Sequence, residues 1–164
     1  MKTNIVLIGL TGCGKSTIGK KLSSILNMPF FDTDKYIEEH YGSIESLFKK
    51  GEEHFRDIES EAVEIISKRS NAIISTGGGV VLRRENMEAL KNNGIVFYLV
   101  RPLEEIIRTL DTGTRPLLKN GTEALYKLHE QRKGLYMLYS DHIIDASDID
   151  KAVNEIISIL NSGA

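Results

Sequence analysis

At 164 residues the chain has the length of one ordinary domain, and 41% hydrophobic with 27% charged residues leaves no case for disorder or a fibrous repeat. A formal net charge of -2 gives no support to a general nucleic-acid or membrane-surface binder. The single cysteine excludes an internal disulfide, and the first apolar run, Ile5 to Ile8, is too short for a signal-peptide core or a membrane span, so cytoplasmic surroundings are expected.

Strands and helices alternate along the chain. Ile5 to Ile8 is a continuous apolar run closed by Gly9, the pattern of a buried parallel strand. Ile18, Leu22, Ile25 and Leu26 recur at helical spacing, which predicts a helix from Lys15 to Asn27. Pro29-Phe30-Phe31 opens a second strand, with Asp32 and Asp34 at its carboxyl end on a segment read as extended. Ser43 can cap a short helix that Gly51 stops, and a longer helix is predicted from Glu52 to about Arg69. Ala72 to Ser75 is a third strand, followed by Gly77-Gly78-Gly79 and a helix near Arg84 to Lys91. Ile95 to Val100 is a fourth strand, and a helix follows Pro102. Residues 111 to 121 form a polar break; beyond it come a helix around Glu123 to Tyr139, a short strand at His142 to Ile144 and a terminal amphipathic helix. With no linker or internal repeat, residues 1–164 read as a single α/β domain. Its parallel sheet lies between helices, and ligands are expected at the carboxyl ends of the strands.

The sequence Gly9-Leu10-Thr11-Gly12-Cys13-Gly14-Lys15-Ser16-Thr17 matches G-x-x-x-x-G-K-[ST] in full and lies between a strand and a helix, as a phosphate-binding P-loop must. The glycines let backbone N–H groups curl around phosphate oxygens, and the helix adds its positive end. Gly12 to Thr17 therefore form the nucleotide-phosphate cradle. Lys15 reaches the β- and γ-phosphates, and Ser16 offers its hydroxyl to Mg²⁺. ATP and Mg²⁺ are the expected ligands.

The remaining signals are weaker one by one. Two carboxylates, Asp32 and Asp34, can divide support of Mg²⁺ from acceptance of a hydroxyl proton, although a D-x-D pair serves equally well as a turn or helix N-cap. Arg56 and Glu59 share a helix face; taken alone such a pair is more often a solvated surface contact. Gly77, Gly78 and Gly79 directly after a buried strand suit close approach of a ligand to the backbone, or simply a flexible turn. Arg115, with Arg108 before it, can close over a nucleotide, and Arg132 can grip a carboxylate bidentately, although either alone reads as a surface residue. Cys13 fills a permissive loop position. No pair among His40, His54, His129 and His142 has metal-ligand spacing, and Tyr136 and Tyr139 read as packing residues.

The ordered set G-x-x-G-x-G-K-S, D-T-D, F-R-x-x-E, G-G-G, R-P-L-L and R-x-x-L-Y resembles the shikimate kinase family over almost the whole chain. The resemblance implies a nucleoside-monophosphate-kinase-like P-loop fold, a three-layer αβα sandwich with five parallel strands in the order 2-3-1-4-5. It implies transfer of the ATP γ-phosphoryl group to the 3-hydroxyl of shikimate, on the route to chorismate and the aromatic amino acids. A substrate-binding region at about 33–60, a lid at about 111–121 and a monomeric enzyme are expected with it.

Carried onto this sequence, the resemblance assigns Asp34 to the ring hydroxyls and to base catalysis, and Arg56 and Arg132 to the carboxylate. Gly77, Gly78 and Gly79 then line the acceptor pocket. Lys15 and Arg115 would steady the phosphoryl group in flight, Arg108 would lie against adenine, and Asp32 with Ser16 would support Mg²⁺ through water. Two departures are visible: Gly134 where proline is frequent, and Asp145-Ala146 where an Asp-Thr pair is common. The alternatives are a related small-molecule kinase for gluconate or a nucleotide, and a non-catalytic nucleotide-binding module. The second would leave Asp34, Arg56 and Arg132 without a purpose.

Overall fold

All of the short apolar runs form strands, and they pair in parallel throughout. A computed structural model describes residues 2–109 and 121–163. Its strands are β1 (Asn4–Ile8), β2 (Phe30–Asp32), β3 (Ile73–Ser75), β4 (Gly94–Val100) and β5 (His142–Asp145), in the spatial order β2-β3-β1-β4-β5. Every residue of β1 is buried, because a central parallel strand is covered on both faces; this is why Ile5 to Ile8 is continuously apolar rather than alternating. At the edge, Ile143 of β5 is exposed.

Eight helices are described: α1 (Lys15–Leu26), α2 (Thr33–His40), α3 (Ile44–Lys49), α4 (Glu52–Ile66), α5 (Arg84–Asn92), α6 (Leu103–Thr109), α7 (Thr122–Tyr139) and α8 (Ile149–Asn161). They cover both faces of the sheet in a three-layer sandwich, with α1 packed on α8 and α4 packed on α5. The main core joins β1, β3 and β4 to Ile18, Leu22, Val63, Met87 and Ile156 from the helices. Ile37, Leu47, Phe55 and Ala62 form a smaller core that packs α2 and α3 on α4.

Two local differences from the sequence reading have clear causes. The segment after β2 is helical: Asp32 caps α2 by accepting from the backbone N–H of Asp34 at 2.9 Å and of Lys35 at 3.2 Å. Asp34 thus stands in the first turn of a helix, and the expectation of an extended pair is corrected. Helix α4 ends at Ile66 rather than near Arg69, since the chain must turn at Asn71, whose φ is 54°, to enter β3.

Candidate active site

β1 delivers the P-loop at its carboxyl end. Gly9 and Gly14 carry φ values of 147° and 102°, backbone conformations that side chains resist, and a methyl group on Gly9 would lie 2.7 Å from the Leu99 carbonyl oxygen. The loop and α1 form one wall of a cavity of about 630 Å³, whose lining also includes Asp32, Asp34, Gly78 and Arg101. Lys15 is buried and turned back on its own loop, where Nζ donates to the carbonyl oxygens of Gly9 at 2.6 Å and Leu10 at 2.9 Å. Cys13 is buried, with Sγ 3.7 Å from that ammonium group.

Across the cavity, Ser16 Oγ donates to Asp32 Oδ2 at 3.1 Å while Asp32 Oδ1 caps α2. The Asp32 carboxylate therefore fixes a helix with one oxygen and meets the P-loop hydroxyl with the other. A serine hydroxyl beside a carboxylate is a hard oxygen donor pair of the kind Mg²⁺ accepts together with water and phosphate oxygens. Among the described residues, no group of three or more His, Cys, Asp and Glu is placed to hold a metal by itself.

Asp34 points at the triple-glycine loop. A methyl group on Gly77 would lie 2.7 Å from Asp34 Oδ1 and 3.0 Å from Glu59 Oε2, so both carboxylates use the space that glycine leaves. Burial first, then the negative charges of Glu59 and Asp32, pushes the Asp34 carboxyl up to about 6, against the opposing pull of Lys15. The next two glycines meet cations. Gly79 has the Arg56 guanidinium where a Cβ would be, and a methyl group on Gly78 would lie 3.4 Å from Arg132 Nη1.

Arg56 and Arg132 are each only 5% exposed, so neither is a surface residue. Arg56 Nη1 donates to Glu59 Oε1 at 2.9 Å, and the guanidinium packs over the rings of Phe48 and Phe55. The solvated surface pair expected of an isolated R-x-x-E is thus corrected: the pair is buried because the smaller core closes over it. Glu59 is 1% exposed; burial raises its pKa, Arg56 opposes that shift, and Oε2 has no hydrogen-bond partner among the described residues. Two buried cations and two carboxylates therefore surround one stretch of bare backbone. Such a pocket matches a small acceptor carrying an anionic group and hydroxyls.

Arg108 is exposed on α6 and takes no part in the cavity wall. Arg115 and residues 111–120 lie outside the described residues. The sequence reading missed the partners that tertiary contacts create. Tyr136, read as packing, is fully buried, stacks on Tyr98 and donates its hydroxyl to the Gly78 carbonyl oxygen at 2.6 Å. Arg101 reaches the P-loop, which nothing in Val100-Arg101-Pro102 announces.

With this geometry in hand, the similarities to known proteins are specific. A family model described as shikimate kinase matches residues 11–161. A shikimate kinase of Clostridium botulinum is 47% identical over 98% of this chain and 98% of its own length. The structure of shikimate kinase from Acinetobacter baumannii in complex with shikimate superposes with a TM-score of 0.90 at 32% identity, covering 99% of this chain and 95% of that one. The shikimate kinase from Aquifex aeolicus gives a TM-score of 0.84 at 34% identity, covering 98% and 97%.

Proposed function

The chain belongs to the shikimate kinase family, and from that premise we propose how its residues divide the work of the reaction. It is an ATP-dependent kinase that phosphorylates shikimate, giving shikimate 3-phosphate and ADP. The observation that carries the division is the meeting of Asp34, Arg56, Glu59 and Arg132 at Gly77–Gly79, beside Thr11 of the P-loop, with Asp34 and Gly78 in the wall of the nucleotide cavity.

Arg56 and Arg132 hold the acceptor carboxylate, with Gly77, Gly78 and Gly79 offering backbone at close range. Glu59 anchors Arg56 through Nη1 and Glu52 lies 3.5 Å from its Nε, which leaves Nη2 for the acceptor. Asp34 accepts from the acceptor hydroxyls and takes or directs the proton of the attacking one. A carboxyl held near 6 is still mostly ionised at neutral pH and is more basic than an ordinary aspartate. Lys15 swings from Gly9 and Leu10 to the β- and γ-phosphates when nucleotide binds, and its charge there favours the transferring phosphoryl group. Gly12, Cys13, Gly14 and Thr17 cradle the phosphates through the loop and the helix start. Arg108 and Arg115 remain proposals from the resemblance, for adenine and for the phosphoryl group.

Ser16 and Asp32 would hold Mg²⁺, whose charge offsets that of the phosphate oxygens once it is bound. No described helix is long and apolar enough to cross a membrane. With the single cysteine, this supports a cytoplasmic enzyme, and we infer one catalytic domain acting as a monomer.

The test is ATP turnover at fixed Mg²⁺ with and without shikimate, beside gluconate and nucleoside monophosphates. ADP release should require shikimate. Turnover that ignored the acceptor, or preferred another one, would overturn the assignment.

A further inference from the structure

Arg101 leaves the end of β4 and enters the wall of the nucleotide cavity. Its Nη1 donates to the Gly12 carbonyl oxygen at 3.1 Å and to Thr109 Oγ1 at 3.2 Å, and its Nε lies 3.5 Å from Glu105 Oε2. Its side chain is 22% exposed, so these contacts are partly shielded from water. Gly12 sits at a φ of 83°, and the following peptide is held from its other side, where the Cys13 N–H donates to the Leu10 carbonyl oxygen at 3.1 Å. Since a peptide unit is planar, gripping its oxygen and its N–H fixes its orientation. That peptide stands at the apex of the loop meant to cradle phosphate.

Two cations hold the carbonyl oxygens of this loop, and only one is free to stay. Lys15 holds those of Gly9 and Leu10, and it must release them to reach a phosphate. Arg101 approaches from the end of β4 and holds a different oxygen, that of Gly12, so Lys15 can leave its two carbonyls without breaking that contact. We propose that Arg101 is a positioning residue of the nucleotide site, tying the apex of the P-loop to the end of α6 through Gly12 and Thr109. The inference rests on the reading of this cavity as the ATP site. Arg101 acts on the nucleotide through the loop, so its loss should weaken ATP and leave the acceptor alone.

The experiment is calorimetry with a non-hydrolysable ATP analogue and Mg²⁺, joined to steady-state kinetics, on the wild type, Arg101→Ala, Arg101→Lys and Thr109→Val. Arg101→Ala should raise the analogue's Kd and the KM for ATP about tenfold, the usual worth of a charge-assisted hydrogen bond, while the KM for shikimate stays within about twofold. Arg101→Lys keeps a donor and the charge and should recover part of the loss. Thr109→Val should cost less than Arg101→Ala, since the guanidinium keeps Gly12. The double variant should lose less than the two single losses together, because Thr109 Oγ1, which also donates to the Glu105 or Ile106 carbonyl oxygen at 3.2 Å, shares one network with Arg101. Should Arg101→Ala fold poorly, the lysine and valine variants carry the same comparison. An unchanged analogue Kd in folded Arg101→Ala, or equal losses for both substrates, overturns the positioning role. A wild type that binds no analogue would instead sink the ATP-site reading, and this inference with it.

Discussion

Asp34 is ionised at a cost, since burial and the neighbouring charges of Glu59 and Asp32 all favour its neutral form. Replacing it with asparagine separates what the charge does for chemistry from what it does to the fold. As a base it should be missed in turnover: Asp34→Asn should lower kcat by about 10²–10⁴-fold, the usual worth of a positioned general base, with a smaller rise in the KM for shikimate. A raised KM with kcat untouched would make Asp34 a positioning group, as a loose phosphoryl-transfer transition state allows. The fold should respond in the opposite sense. With its carboxyl at 3.8 unfolded and about 6 folded, the native state keeps a proton that the unfolded chain has released between those values. Stability contributed by this group therefore falls as pH rises through that window, and the full penalty stands above it. Asp34→Asn should be more stable than the wild type at pH 8 by roughly 1–3 kcal/mol, with the gain fading towards pH 4. Urea unfolding at the two pH values reads it directly; an equal difference at both would exclude titration of Asp34 as the cause. At this scale the sequence was informative wherever chemistry is contiguous, as in Gly9 to Thr17. It was not for Arg56 and Glu59, because their burial depends on Phe48 and on a core that no spacing of two residues reveals.

The elements that carry the site were mostly legible, and α2 shows why one was not. Thr33 to His40 has few apolar residues, and the aspartate pair at its start, Asp32 and Asp34, suits an extended segment as well as a cap. Burial of Ile37 against α4 decides for helix, a tertiary effect that overrides a weak local pattern. The two oxygens of Asp32 then give a test at the level of the element. Asparagine is as good an N-cap as aspartate, so Asp32→Asn should keep α2 and lose little stability, whereas Asp32→Ala should cost about 0.5–2 kcal/mol. Both remove the negative oxygen beside Ser16, so both should raise the Mg²⁺ concentration needed for half-maximal turnover. Thermal unfolding without ligands separates the cap from the metal role. If Asp32→Asn melted like Asp32→Ala, charge at the helix start rather than the cap hydrogen bond would be holding α2.

At the scale of the molecule, the order β2-β3-β1-β4-β5 places the two half-sites around β1. The P-loop leaves β1 itself and borders β4, while β3 on the other side leads into Gly77–Gly79 and the acceptor pocket. Periodicity could supply five strands but not their order, since pairing is set by crossovers that bring distant segments together; the order came only with the family resemblance. Because each ligand binds the folded chain through different residues, each should stabilise it separately. Saturation at about 100 times Kd adds about 2.7 kcal/mol, which for a chain of this size raises Tm by roughly 5–10 °C. ATP analogue with Mg²⁺ and shikimate should each give a shift of that order. Arg56→Ala should abolish most of the shikimate shift at the same concentration, since truncating one member of a buried charge pair costs about 2–5 kcal/mol of binding, while the nucleotide shift persists. Its own unliganded Tm should also fall, because Glu59 is left buried without its cation. Each shift must therefore be taken relative to the variant's own baseline. Scanning calorimetry with neither, either and both ligands resolves the cases. Loss of both shifts in Arg56→Ala would mean that the two half-sites form one coupled unit. Retention of the shikimate shift would put the acceptor carboxylate elsewhere than on Arg56.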